Sequence, residues 1–223
     1  MKLRPFLEML EEKGDLVRIE REVSAEYEIA NVLNSLGERP TIFENVKGYD
    51  MPVFGGICAH RKIIAEGLGT DREGILGRLV EALRNPVEPD VVSSGPCQEV
   101  VMDPVDLDRL PILTHLPGDG GRYMSASVCI IKDPKTGRNM SYHRMMQRGR
   151  DRFTARLIPK RQTRTTYDKI EDDLEIAICI GNSVPVLLAA SLGPPPGVDE
   201  LSIANALSPT EVVRCRTKDL EVP

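Results

Sequence analysis

Ser125-Ala-Ser-Val-Cys-Ile-Ile-Lys-Asp-Pro-Lys-Thr-Gly-Arg-Asn-Met-Ser-Tyr-His-Arg-Met-Met146 decides the fold. Its arms, residues 125–132 and 138–146, are strand-like, and Asp133-Pro-Lys-Thr-Gly137 between them is made of turn residues. The pattern predicts an antiparallel hairpin. Further strand candidates follow at short intervals, over residues 152–158, 174–180, 185–190 and 212–215. Short strands joined by tight turns predict a barrel or sandwich. One helix interrupts them, from about Asp199 to Leu207 after Pro194-Pro-Pro-Gly197, with Asp199 as its N-cap.

Upstream of Pro104 the texture is different. Residues 3–13 put Leu3, Phe6, Leu7 and Leu10 on one helical face, with Gly14 as a C-cap. Residues 16–20 alternate like a half-buried strand, and Ser24 is expected to cap a helix carrying Tyr27, Ile29, Ala30, Val32 and Leu33 inward. Residues 41–46 and 52–56 read as short strands, and residues 71–84 as an amphipathic helix. The fold class is therefore α+β, with an α/β domain over 1–104 and a β-rich domain over 105–223. The strand at 212–215 has no closing element after it, so an incomplete barrel with an open edge there is expected, as in the front part of a longer protein.

Composition narrows the function classes. A net charge of −5 supplies no field for a nucleic-acid backbone, and 4% aromatic residues with no Trp argue against base stacking. The longest apolar run, residues 183–192, is broken by Pro185 and too short to span a bilayer. Met1–Arg4 leads into a charged amphipathic segment rather than a secretory leader, and a soluble cytoplasmic protein is expected. The five cysteines are widely spaced without CxxC or a Cys/His cluster, which suggests neither a disulfide framework nor a zinc site.

Four segments carry unusual polar residues. Gly118-Asp-Gly-Gly-Arg-Tyr123 allows close backbone approach to an anion, though a surface turn has the same composition. In Asn139-Met-Ser-Tyr-His-Arg144, strand alternation puts Asn139, Ser141 and His143 on one face, suited to a hard cation or phosphate. Tyr142 and Arg144 fall on the other, suited to a carboxylate. Arg156-Leu-Ile-Pro-Lys-Arg-Gln-Thr-Arg164 holds four cations, as a phosphate cradle or a solvated loop. Glu200 lies in the first turn of its helix, where the dipole alone favours it. No Walker loop, GxGxxG, GxSxG or HExxH is present.

Taken in order, these segments resemble the UbiD family of prenylated-FMN-dependent decarboxylases. The likeness runs from Pro5-Phe-Leu-Glu-Met-Leu10 through Asp119-Gly-Gly-Arg-Tyr123 and Asn139–Arg144 to Gly197-Val-Asp-Glu200 and the tail from Val213. It implies an N-terminal α/β domain followed by a flavin-reductase-like split β-barrel. By position, Asn139 and Glu200 match the family's Mn²⁺ ligands, with K⁺ as a possible companion ion. Tyr142, His143, Arg144, Arg156, Leu157, Ile158, Arg161 and Gln162 match flavin-contacting positions, and Arg144 is the implied catalytic residue. Many members carry a histidine ligand about where Lys160 or Arg161 stands here.

The resemblance implies a carboxy-lyase acting on an α,β-unsaturated acid, with the cofactor as electron sink. Asn139–Met146 and Gly197–Asn205 look most like archaeal members, which convert trans-anhydromevalonate 5-phosphate to isopentenyl phosphate and CO₂ in isoprenoid biosynthesis. The alternatives are an aromatic acid such as a polyprenyl-4-hydroxybenzoate, or a non-catalytic flavin-binding fragment. A flavin prenyltransferase as cofactor source, self-association, and a catalytic acid beyond residue 223 are implied by the same likeness.

Overall fold

The computed structural model describes residues 1–37 and 39–223. Helix α1 (Leu3–Glu12) buries Phe6 and Leu10, the positions four apart that its periodicity marks. Strand β1 (Val17–Ile19) pairs in parallel with β2 (Thr41–Phe43), which pairs antiparallel with β3 (Val53–Gly55). The crossover between β1 and β2 is α2 (Glu28–Ser35), whose Ile29 packs with Val23, Phe43 and Val46. Ser24 is not the N-cap expected for this helix. Tyr27 holds that position at φ 65°, while the Ser24 amide donates to Glu28 Oε2 at 2.8 Å.

Two helices follow, α3 (Arg61–Leu68) and α4 (Gly74–Arg84). The sequence reading missed α3, whose buried positions include Ala65 and Gly67, too small to mark a period. Gly67 is dictated by packing: a Cβ there would sit 2.7 Å from Val184 Cβ. Helix α4 starts three residues later than expected because Asp71 lies outside it, its Oδ1 accepting from the Gly74 amide at 2.7 Å.

After β4 (Val91–Val92) come β5 (Tyr123–Met124), β6 (Val128–Asp133), β7 (Gly137–Tyr142), β8 (Met145–Gln147) and β9 (Phe153–Ala155). The chain then forms α5 (Gln162–Tyr167), β10 (Ala177–Cys179), α6 (Val184–Leu192), α7 (Glu200–Leu207), β11 (Val212–Arg214) and β12 (Glu221–Val222). The predicted hairpin is β6–β7, in register from Val128↔Tyr142 to Asp133↔Gly137. Helices α6 and α7 pack over β6 and β7, with Val128, Ile130, Met140, Val186, Leu201 and Ile203 at the centre of the main core.

Among the described residues four three-stranded sheets result, ordered β1-β2-β3, β10-β6-β7, β12-β11-β4 and β5-β8-β9. Among the described residues none closes on itself, so the architecture is mixed helix and sheet without a closed barrel. Residues 185–190, expected as a strand, are the body of α6. A short, wholly apolar run has no period to read, Pro185 is tolerated in a first turn, and Leu and Ala favour helix. The expected open edge at residues 212–214 is also corrected: β11 is the central strand, parallel to β4 and antiparallel to β12. Its partner β4 lies more than a hundred residues back, a pairing that local pattern does not reveal. The strands expected over 152–158 and 174–180 shrink to three residues each, and the cationic run ends in a helix, α5. Among the described residues no helix is long and apolar enough to cross a membrane.

Candidate functional site

The alternation of β7 decides where its polar side chains go. Asn139 is 4% exposed, and its Nδ2 donates to Glu200 Oε1 at 2.8 Å and to Gln162 Oε1 at 3.2 Å. Glu200, 1% exposed in the first turn of α7, accepts the Met140 amide on Oε2 at 2.8 Å. Two residues along the same face, Ser141 Oγ lies 3.2 Å from His143 Nε2 and 3.3 Å from Thr163 Oγ1. His143 Nε2 also reaches Thr163 Oγ1 at 3.0 Å. The expected face of Asn139, Ser141 and His143 thus exists, and α5 covers it with Gln162 and Thr163.

Helix α7 is placed by its cap. Asp199 Oδ1 accepts the Leu201 amide at 3.0 Å, as the sequence predicts. Both Asp199 oxygens also take Arg138 Nε at 3.2 Å, and the same guanidinium reaches Glu88 and Glu221. Arg138 and Asp199 each precede a residue of the cluster, so this ion pair ties β7 to α7 in the register that brings Asn139 onto Glu200. At the far end of the hairpin, Asp133 ties β6 to α5 by accepting from Thr166 Oγ1 at 2.8 Å and Lys169 Nζ at 3.0 Å.

Burial pushes the Glu200 carboxyl up to about 7, against the opposing pull of the Met140 and Asn139 hydrogen bonds. Burial lowers the His143 pKa, which favours the neutral ring. Asn139 Oδ1 is buried and without a hydrogen-bond partner. An orphaned amide oxygen beside a buried carboxylate leaves oxygen lone pairs that a hard cation would satisfy. Among the described residues no group of three His, Cys, Asp or Glu side chains is placed to hold a metal; the further oxygen beside Asn139 and Glu200 is the Gln162 amide oxygen, which accepts from Asn139 Nδ2.

The remaining expected residues are distributed differently. Tyr142 turns away, its hydroxyl donating to the Leu187 carbonyl of α6 at 2.8 Å. Arg144 is exposed in the break between β7 and β8, and Arg156, Ile158 and Arg161 are exposed on the stretch from β9 into α5, with Leu157 half-buried. Arg164 pairs with Asp168 at 2.8 Å and is occupied structurally. Lys160 and Arg161 are exposed, and the residue of that stretch that reaches Asn139 is Gln162. The Gly118–Gly121 segment is a self-supporting turn, with Asp119 Oδ2 accepting from the His115 and Leu116 amides at 3.1 and 2.9 Å. Sequence reasoning missed Arg138 and Thr163; the only signal was their placement next to Asn139 and Gln162.

The fold and this cluster define a class. The 3-octaprenyl-4-hydroxybenzoate carboxy-lyase Rift-related domain matches residues 90–223, and the N-terminal domain of the same carboxy-lyases matches residues 7–83. The chain belongs to the UbiD family. It is 40% identical over 227 residues to the anhydromevalonate phosphate decarboxylase of Methanothermobacter thermautotrophicus, covering 99% of this chain and 52% of that protein. Among solved structures, the UbiD-class enzyme HmfF of Pelotomaculum thermopropionicum, an evolved dimeric form in complex with prFMN, superposes with a TM-score of 0.95 at 40% identity. That match covers 100% of this chain and 54% of HmfF. Vanillic acid decarboxylase of Sedimentibacter hydroxybenzoicus in its closed form gives 0.92 at 29% identity, over 100% of this chain and 52% of the other. The chain therefore spans about half the length of the relatives it matches.

Proposed function

We propose that this chain forms the flavin-binding part of a UbiD-class decarboxylase of α,β-unsaturated carboxylic acids, with trans-anhydromevalonate 5-phosphate as the leading substrate. The observation that carries the reading is the buried meeting of Asn139 and Glu200, with Asn139 Oδ1 left unpaired. Asn139 and Glu200 would hold Mn²⁺, and their oxygen donors suit a hard cation. Tyr142, His143, Arg156, Leu157, Ile158, Arg161 and Gln162 would line the flavin. Bound prenylated FMN supplies the electron sink for loss of CO₂.

The chain's own residues would bind and orient. Arg144, exposed between two strands, presents a planar guanidinium that can grip the substrate carboxylate through two parallel hydrogen bonds. Lys160 and Arg161 add positive charge for a phosphate. Neutral His143 is held by Ser141 and Thr163. Sheets β10-β6-β7 and β5-β8-β9 are read as the two halves of a split barrel, within a division of the chain at 104/105. K⁺ beside Mn²⁺, a flavin prenyltransferase as cofactor source, self-association and a cytoplasmic location complete the proposal.

The test is co-expression with a flavin prenyltransferase, followed by absorbance and intact mass. A prenylated-FMN mass on this chain is expected, together with CO₂ release from the phosphorylated acid by a longer chain that also carries the catalytic acid, and loss of that release in its Arg144→Ala variant with flavin retained. A colourless chain without flavin overturns the reading. The likeness to vanillic acid decarboxylase makes an aromatic acid the second reading; product analysis with 4-hydroxybenzoates against the phosphorylated acid separates the two.

A further inference from the structure

Among the described residues four buried side-chain polar atoms have no hydrogen-bond partner: Glu66 Oε2, Ser127 Oγ, Asn139 Oδ1 and Gln147 Oε1. Three of them belong to groups whose other polar atom is engaged. Glu66 Oε1 pairs with Lys13 Nζ at 3.4 Å, Asn139 Nδ2 donates to Glu200, and Gln147 Nε2 donates to Asp108 Oδ1 at 2.9 Å. Ser127 has a single polar side-chain atom, so its hydroxyl is wholly unpaired, at 2% exposure. A buried hydroxyl without a partner is destabilising, and each such group in a folded protein calls for a reason.

Ser127 leads directly into β6, and the hairpin register fixes the face it shares. Cys129 pairs with Ser141 and Ile131 with Asn139, and cross-strand partners lie on one face. Alternation places Ser127 on that face with them, and one step further along the register its partner is His143. The opposite face, with Val128, Ile130 and Met140, is packed in the main core. The Ser127 face looks instead towards the second sheet: Cys129 packs with Met124 of β5 and Met145 of β8, its Sγ 3.9 Å from Met145 Sδ. The other polar groups of this face already satisfy one another, since Ser141, His143 and Thr163 lie within 3.0–3.3 Å of each other.

These neighbours are also neutral. Burial favours the uncharged His143 ring and pushes the Cys129 thiol up to about 11. A phosphate or carboxylate would find no counter-charge in them, whereas a carbonyl oxygen or ring nitrogen of a neutral heteroaromatic ligand accepts readily from a hydroxyl. We infer that Ser127 Oγ is a flavin-binding hydroxyl, donating to a carbonyl oxygen or ring nitrogen of the isoalloxazine, and that the cofactor supplies the partner this group lacks in the free chain. The inference rests on the flavin reading proposed above and deepens it by one residue.

Ser127→Ala tests it on the 223-residue chain, by fluorescence titration with FMN and by thermal unfolding without flavin. FMN is expected to bind the variant about threefold to tenfold more weakly than the parent, the weight of one hydrogen bond. The visible absorption maximum of the bound flavin should shift as well. Without flavin the variant should melt at the parent's temperature or above it, because Ala removes a buried unpaired group and breaks no bond. Ser127→Cys keeps the size with a weaker donor and should bind FMN with intermediate affinity. A lower melting temperature for flavin-free Ser127→Ala overturns the inference, by giving the hydroxyl a structural partner. Equal FMN affinity with an unchanged spectrum overturns it while the flavin reading stands. A parent chain that binds no FMN overturns both.

Discussion

Asn139 Nδ2 donates to Glu200 Oε1 at 2.8 Å, joining two buried side chains 61 positions apart. One residue earlier on each element, Arg138 holds Asp199. The two contacts in succession fasten the middle of β7 to the first turn of α7, and the buried cluster is a product of that fastening. Glu200 is a carboxyl group removed from water whose oxygens take the Asn139 amide and the Met140 N–H, and burial outweighs those donors in setting its pKa.

A bound cation should therefore be visible as stability. Mn²⁺ at a hundred times its Kd is expected to stabilise the chain by about 2.7 kcal/mol. That is a rise of about 5–10 °C in melting temperature for a chain of this size. Glu200→Ala and Asn139→Ala should abolish the rise, and an equal rise in either variant removes the metal from this pair. Glu200→Ala without metal should cost about 1–3 kcal/mol, because the Met140 and Asn139 donors lose their acceptor.

Arg138 is 10% exposed at its side chain and answers three carboxylates, of which Asp199 is 16% exposed. Arg138→Ala leaves Asp199 without its counter-charge and is expected to cost about 3 kcal/mol in urea unfolding. A double-mutant cycle with Asp199→Ala should return a coupling of about 1 kcal/mol or more. Additive losses would mean that the pair does not hold α7.

Asp133, 1% exposed at its side chain, should control acid stability. Burial opposes its charge, but the Lys135 amide, Lys169, Thr166 and the Thr136 amide together hold the carboxyl well below the usual carboxylate range. A folded-state pKa below the unfolded value gives stability that is complete above the unfolded pKa, about 3.9, and fades as pH falls towards the folded one. Asp133→Asn is accordingly expected to cost about 1–3 kcal/mol at pH 7. The gap between variant and parent should narrow below about pH 4 in urea titrations. A gap unchanged at pH 3 would contradict the assignment.

The thiols should divide by burial. Cys97 is exposed, whereas burial pushes Cys129 up to about 11 and, with neighbouring thiols, Cys179 up to about 12. At pH 8 the Cys179 thiolate is scarcer than that of a free cysteine by a factor on the order of 10³. A disulfide reagent should label Cys97 in the folded chain and reach Cys129 and Cys179 only after denaturant, as peptide mass mapping would show. Fast labelling of Cys179 would mean that β10 opens readily.

The hairpin, the Asp199 cap and the Asn139 face were legible because each depends on residues a few positions apart. Turn chemistry sets Asp133–Gly137, a side-chain oxygen two residues from an amide caps α7, and period-two alternation sends Asn139, Ser141 and His143 one way. Segment α6 is not legible in the sequence because Pro185–Ala190 offers composition without period, and which structure it takes depends on what surrounds it. Arg138 carries no local signal, because a single arginine on a strand announces nothing until three carboxylates meet it.

Sequence by itself determined a mixed helix-and-sheet fold, the β6–β7 hairpin, family membership through ordered motifs, and the residue types able to meet a hard cation. Tertiary structure alone decided that β11 lies inside a sheet, that β10 pairs with β6 alone among the described residues, and that Gln162 rather than Lys160 or Arg161 meets Asn139. The physical reason is range. Turns, caps and alternation are settled by interactions within a few residues, whereas strand order and buried polar contacts depend on segments that come together only when the core closes.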